Sequence, residues 1–324
     1  MRYLLGTDEA GYGPNLGPLV ISATVWEVPD GVRGERLFEH LKHVIAPSPD
    51  RTHGHADPRV IMADSKTLYT PGQGLRRLEL GLWAALDAIG HRPRAWQEVW
   101  QALSPEAVAL MPPIPWYAGF DAAVPFDSSP EQIQASIATL RSGLATAGVR
   151  IAAVRSRVLF AEEFNALVEQ HGSKGVVLSN QTLALAAGLI EALPASASIE
   201  VICDKHGGRN RYGQLLSEHF PEQFIEIHGE GRDRSVYRFG PEDRRVEFCF
   251  RTRAEACLPA ALASMASKYL RELAMHAFNE FWRTRVPNLQ PTAGYPQDAK
   301  RFRLDIAETQ QRLHIADRML WRVK

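Results

Sequence analysis

The 324-residue chain predicts an α/β fold with a mixed central β-sheet flanked by helices, plus insertions. Short runs rich in β-branched residues, among them "RYLLGT", "PLVISATVWEV" and "SIEVICD", read as strands. Between them lie stretches of helical periodicity such as "LRRLELGLWAALDAI". Strands and helices interleave in an irregular order, which suits a mixed sheet better than a purely parallel one.

In chain order, residues 2–7 and 18–28 are strands, joined by a glycine- and proline-rich turn. Residues 30–60 are polar and read as a surface excursion. "VIMADSKTLY" (60–69) leads into a helix at 75–89. Residues 91–130 are proline-rich, carry Trp96, Trp100, Trp116, Tyr117 and Phe120, and read as a packed surface insertion. A helix at 131–147 is bounded by Pro130 and Gly148. Then come a strand at 149–159, helices at 161–171 and 180–193, and a strand at 198–204. A helix near 209–219 precedes strands near 223–228, 235–239 and 246–251. A long helix spans 258–284, and 285–324 form a helical C-terminal region. A single domain over 1–324 accommodates all of this.

Composition is that of a globular protein, 45% hydrophobic and 23% charged. With 37 basic against 37 acidic residues, the chain is not one held on nucleic acid by bulk charge, though a local basic groove is compatible. Cys203, Cys249 and Cys257 form no C-x-x-C and read as reduced thiols. No apolar run approaches the ~20 residues of a membrane span, and the run before Asp8 is too brief for a signal peptide. A cytoplasmic protein is expected, with no membrane association and no obligate protein partner implied.

Acids at strand ends carry the functional signal. Asp8 and Glu9 follow the first apolar run, and Asp204 ends "SIEVICD". A carboxylate at a buried strand end is costly unless it is paired or binds a cation. Adjacent strand residues point to opposite faces, so Asp8 and Glu9 share a site only where the strand ends. Taken singly, each acid could be a cap or a surface charge; together they point to a cation. Gly11-Tyr12-Gly13 is not a dinucleotide fingerprint, because the acids precede the glycines and a strand, not a helix, follows.

"GTDEAGYGPNLGPLVISATV" resembles the opening motif of type 2 ribonucleases H (ribonucleases HII and HIII). In family order, "ADSKTL" (63–68), "VICD", "LASMASKYLRE" (262–272) and "AGYP" (293–296) resemble further motifs across nearly the whole chain. The resemblance implies an RNase H-like fold and metal-dependent cleavage of RNA in RNA–DNA hybrids, or in duplex DNA with embedded ribonucleotides. It implies Asp8, Glu9 and Asp204 as catalytic metal ligands, with Glu272 where the family usually has Asp. Ser264, Lys268 and Glu272 are spaced i, i+4, i+8 on one helix stripe. Glu255 is the competitor; in a continuous helix it would lie roughly 25 Å from Glu272, so one site cannot use both. Pro259 favours a helix start that leaves Glu255 outside, and Glu272 is preferred. The implied cofactors are Mg²⁺ or Mn²⁺, two ions, hard cations that take oxygen ligands.

For the substrate, the resemblance assigns the backbone of Gly11, Tyr12 and Gly13 to sensing a 2′-hydroxyl, with Tyr12 standing where the family has a basic residue. Tyr295 matches a sugar-stacking tyrosine, and Ser65, Lys66 and Lys268 lie in the matched motifs. Lys205, Arg209 and Arg211, beside Asp204, are candidate phosphate contacts. The basic set Arg232, Arg234, Arg238, Arg244, Arg245, Arg251 and Arg253 could edge a groove, and His53 and His55 read as loop residues. Two rivals remain: a related nuclease with altered substrate preference, and a non-catalytic nucleic-acid-binding protein of the same fold.

Overall fold

The computed structural model describes residues 1–48, 57–70 and 72–323; His53 and His55 lie outside them. The strands are β1 (Arg2–Ala10), β2 (Leu19–Val28), the short β3 (Ile45–Ala46) and β4 (Val60–Ile61), β5 (Arg150–Leu159), β6 (Ser198–Asp204), β7 (Glu226–Glu230), β8 (Arg234–Phe239) and β9 (Val246–Arg251). Seven of them form one sheet in the order β5-β2-β1-β6-β9-β8-β7, and β3 and β4 pair separately. β1 is antiparallel to β2 and parallel to β6, and β6 is parallel to β9, so the sheet is mixed as expected.

β1 is central and covered on both faces, which its sequence requires because it is apolar on both. Leu4 faces a core shared with the long helix Leu258–Arg283, while Tyr3 and Leu5 face a second core under the helix Lys174–Glu191. The long helix lies directly on β1. A Cβ on Gly6 would meet the Ala260 nitrogen at 2.2 Å, and Thr24 Oγ1 donates to the Pro259 carbonyl at 2.7 Å. Ser267 Oγ donates to the Asp8 carbonyl at 2.9 Å, so helix and strand advance side by side. No helix among the described residues is long and apolar enough to cross a membrane.

Three expectations shift. The 30–60 excursion sends Leu37, Leu41 and Ile45 into the helix-side core. The helix expected at 180–193 starts at Lys174, because Ser173 caps it by accepting from the Val176 N–H. The 91–130 segment is built into the fold: Trp96, Trp100, Trp116 and Tyr117 are buried, and Trp96 Nε1 donates to the Leu273 carbonyl of the long helix at 3.0 Å. Those rings are therefore not free to stack on bases.

Candidate metal and nucleic-acid site

β1 continues through the two acids rather than ending before them. Its pairing with β2 carries on through Asp8↔Ser22, Glu9↔Ile21 and Ala10↔Val20. Its pairing with β6 stops at Thr7↔Cys203, so the last three residues of β1 have a partner on one side only. Asp204 is the next residue of β6. Acids from the ends of two neighbouring parallel strands are thereby gathered at one edge of a gap in the sheet.

A third strand contributes through the turn that follows it. β9 ends at Arg251, Arg253 takes a left-handed conformation (φ 58°), and a 3₁₀ turn over Ala254–Ala256 leads into the long helix. The Ala254 N–H donates to Asp204 Oδ1 at 3.4 Å. Glu255 sits on that turn and is coupled electrostatically to Asp204, Asp64 and Lys66.

The electrostatics of the group are those of crowded acids. Asp8 and Glu9 are half-buried by solvent access yet densely surrounded by protein. Burial, then Glu9 and Asp204, hold Asp8 well above the usual carboxylate range, against a hydrogen bond with Ser264. Burial, then Asp204, push Glu9 up to about 7, with Lys66 opposing. Asp204 and Glu255 are raised, chiefly by burial. Lys66 is the counter-charge: burial lowers its pKa, but Asp64, Asp8, Glu255 and Asp204 more than offset that.

The motif around Lys66 is placed by its own caps. Asp64 caps the short helix Ser65–Leu68, accepting from the Lys66 N–H at 3.1 Å. Ser264 Oγ lies 3.3 Å from Asp64 Oδ1 and 3.0 Å from Ser65 Oγ, within hydrogen-bond reach of both, joining this helix to the long one beside Asp8.

Glu272 is not brought to the other acids. Ser264 and Ser267 already stand level with Asp8, and Glu272 lies two turns past Ser264, about 12 Å farther along the helix. There it is ion-paired with Lys268 and accepts from Tyr69 Oη at 2.9 Å. Lys268 sits over the Tyr69 ring at 4.1 Å. Position on the helix stripe does not place Glu272 at the acids, because the parallel course of helix and strand decides how far along the stripe the acids lie.

The remaining candidates divide. Gly11 to Pro18 form a loop against Gly294, whose carbonyl accepts from the Asn15 N–H at 2.8 Å, and Tyr295 follows with 58% of its surface exposed. The Tyr12 ring packs beside Leu19, Ile21 and Phe164, with Lys174 Nζ 5.4 Å from its centre. Tyr12 and Arg209 line one hollow together with His206 and Lys174. Lys205 is turned inward, donating to the Gly231 carbonyl at 2.6 Å and to Asn210 Oδ1 at 2.9 Å. Arg211 is exposed and 3.7 Å from Glu230. Of the basic set, Arg238 pairs with Glu247, Arg245 with Glu226 and Arg251 with Glu35. Asp64 is a further site residue whose sequence signal is its place in "ADSKTL" just before a short helix. Arg271 and Arg322, both buried behind the glycine loop, had no sequence signal.

Among the described residues, no group of three or more His, Cys, Asp or Glu side chains is arranged to hold a metal ion. The donor set is nonetheless all carboxylate oxygen, crowded enough that an added cation would relieve its repulsion, which fits Mg²⁺ or Mn²⁺.

No family model and no curated relative matches the chain. It is similar to the ribonuclease H2 from Pyrococcus horikoshii OT3, with 13% identity over 98% of this chain and 92% of that one, at TM-score 0.44. It is similar to the RNase HII of the PCNA:RNase HII complex from Archaeoglobus fulgidus, with 12% identity, 99% and 94% coverage and TM-score 0.43. A third similar structure is Bst-RNase HIII in complex with Mn²⁺, with 14% identity, 99% and 66% coverage and TM-score 0.41. At such identities and TM-scores the likeness carries no argument about activity or substrate.

Proposed function

We propose that this chain is a metal-dependent endonuclease that hydrolyses the RNA strand of RNA–DNA hybrids. The observation that supports it is the convergence of Asp8 and Glu9 from β1, Asp204 from β6 and Glu255 from the turn after β9, with the Lys66 ammonium facing them. A pure binding protein has no use for a carboxylate cluster that repels phosphate. The opening motif's resemblance to type 2 ribonucleases H supports the substrate class.

In this reading Asp8, Glu9, Asp204 and Glu255 hold the cations, and Glu255 takes the fourth place in preference to Glu272. Two divalent ions at such a site supply activation of a water and charge stabilisation at the leaving oxygen. Ser267, which bonds the Asp8 carbonyl, and Ser264, beside the Asp8 carboxylate, fix that residue on the helix. The amides of the Gly11–Gly13 loop face the substrate sugar, and exposed Tyr295 offers a ring beside it. Lys66 meets a phosphate.

A second reading, a related nuclease with altered substrate preference, is favoured by Tyr12, whose ring packs into an apolar cluster and leaves no basic contact at that position. Labelled duplexes carrying one ribonucleotide, a long hybrid or only DNA, with Mg²⁺ or Mn²⁺, decide between them. Cleavage confined to the ribonucleotide-containing duplexes is expected, and its loss in a folded Asp8→Asn variant. A folded wild type that cuts none of the three with either ion overturns the proposal; cleavage of all-DNA duplex favours the second reading.

A further inference from the structure

The loop from Gly11 to Pro18 makes few hydrogen bonds of its own, yet five of its eight carbonyls accept from two arginines. Arg322 Nη2 donates to the carbonyls of Gly11 and Pro14, and the Arg322 N–H donates to the Asn15 carbonyl at 2.9 Å. Arg271 donates to the carbonyls of Leu16 at 3.1 Å and Pro18 at 2.7 Å. Both guanidiniums are buried, with 3% and 4% of their residues' surface exposed. Neither has an ion pair with a carboxylate among the described residues. Meanwhile the N–H groups of Tyr12 and Gly13 have no acceptor there.

The tail that carries Arg322 is itself fastened. Asn165 Nδ2 donates to the Trp321 carbonyl at 2.7 Å, its Oδ1 accepts from the Val323 N–H at 2.8 Å, and Asn15 Nδ2 donates to the Arg322 carbonyl at 3.2 Å. Phe164 lies 4.7 Å from the guanidinium. Burying a charge without an opposite charge is costly, and here it is compensated by carbonyl dipoles and by the face of the Phe164 ring.

We infer that Arg322 is a positioning residue: by drawing the Gly11 and Pro14 carbonyls to its back, it turns the Tyr12 amide, which shares its peptide unit with the Gly11 carbonyl, to the front, where the substrate backbone would meet it. This rests on the functional reading above. A peptide unit has its N–H opposite its C=O, so fixing one end aims the other. Arg271 holds the second half of the loop in the same way. The C-terminal segment therefore acts on substrate binding without touching the substrate.

Only Nη2 makes the two side-chain bonds; Nε and Nη1 are buried without partners. A single nitrogen should therefore suffice. Arg322→Met, which keeps bulk without a donor, should raise KM for the hybrid about tenfold with kcat little changed, and speed by about as much the hydrogen exchange of the Asn15 and Leu16 amides, which donate to the Gly294 carbonyl in the same loop. Arg322→Lys should restore most of both. Arg318→Ala, which removes an exposed pair with Glu162 on the same tail, should change neither.

If Arg322→Met matches the wild type in loop exchange and in KM, the inference is wrong. It is equally wrong if exchange quickens uniformly over the whole sheet, since Arg322 is then a stability residue only. A wild type that neither binds nor cuts the hybrid defeats the functional reading alone, and loop exchange in Arg322→Met still decides for or against the clamp.

Discussion

Removing one carboxylate from the acid cluster should stabilise the cation-free protein, and by an amount that depends on pH. Glu9 has an ordinary value of 4.5 and is pushed up to about 7 in the folded chain by burial and then by Asp204. Below 4.5 it is protonated in both folded and unfolded chains and costs nothing. Between 4.5 and about 7 the unfolded chain is ionised while the folded one keeps the proton, so stability falls across that window and levels off above 7, where the folded form carries the crowded charge. The full cost at pH 8 is on the order of 3 kcal/mol, and at pH 5 it is about 1 kcal/mol. Glu9→Gln should therefore exceed the wild type in urea resistance by those amounts when a chelator is present, followed by circular dichroism. Excess Mn²⁺ should narrow the gap at pH 8, because a cation bound only by the folded wild type adds stability that the variant lacks. A gap that is the same at pH 5 and pH 8, or that Mn²⁺ leaves untouched, would refute the reasoning.

Two further outcomes follow from the geometry. Glu255→Gln should lower cleavage at least about a hundredfold, while Glu272→Gln, two helical turns past the acids, should keep most of it, as a single-turnover assay on a labelled hybrid would show. The reverse ranking would return the fourth place to Glu272. Gly6→Ala should cost about 3 kcal/mol or more in urea unfolding, since its Cβ would strike the backbone of Pro259 and Ala260 at 2.2 Å; a variant of unchanged stability would mean the helix can lift from β1 freely.

Asp8, Glu9 and Asp204 were legible because strand ends are read from hydrophobic runs, and acids just after such runs stand out. Their neighbourhood in space followed from the sheet: β1 and β6 pair in parallel, which brings both C-terminal ends to one edge. The place of Glu255 beside Asp204 and Lys66 was not legible in the same way. A helix stripe fixes direction around the axis but not how far the helix has slid along the strand beneath it. That slide is set by Gly6 under Pro259 and by Ser267 at Asp8, contacts between residues more than 250 positions apart. The burial of the aromatic run at 91–130 is not legible, because proline content signals loops and does not show what the side chains between the prolines pack against. Arg322 was invisible, since a lone arginine near a chain end has no pattern that distinguishes a buried clamp from a solvated charge.

All seven tryptophans of the chain lie in or against the helix-side core: Trp26, Trp83, Trp96, Trp100, Trp116 and Trp282 within it, and Trp321 packed on its margin. The opposite layer, where Tyr212 stacks on Phe250 with centroids 3.6 Å apart, contains none. Intrinsic tryptophan emission is thus a one-sided optical probe of this protein. It reports the seating of the long helix on β1, while any fraying of the far edge at β7, where Ile227 is 61% exposed, would pass without a change in signal.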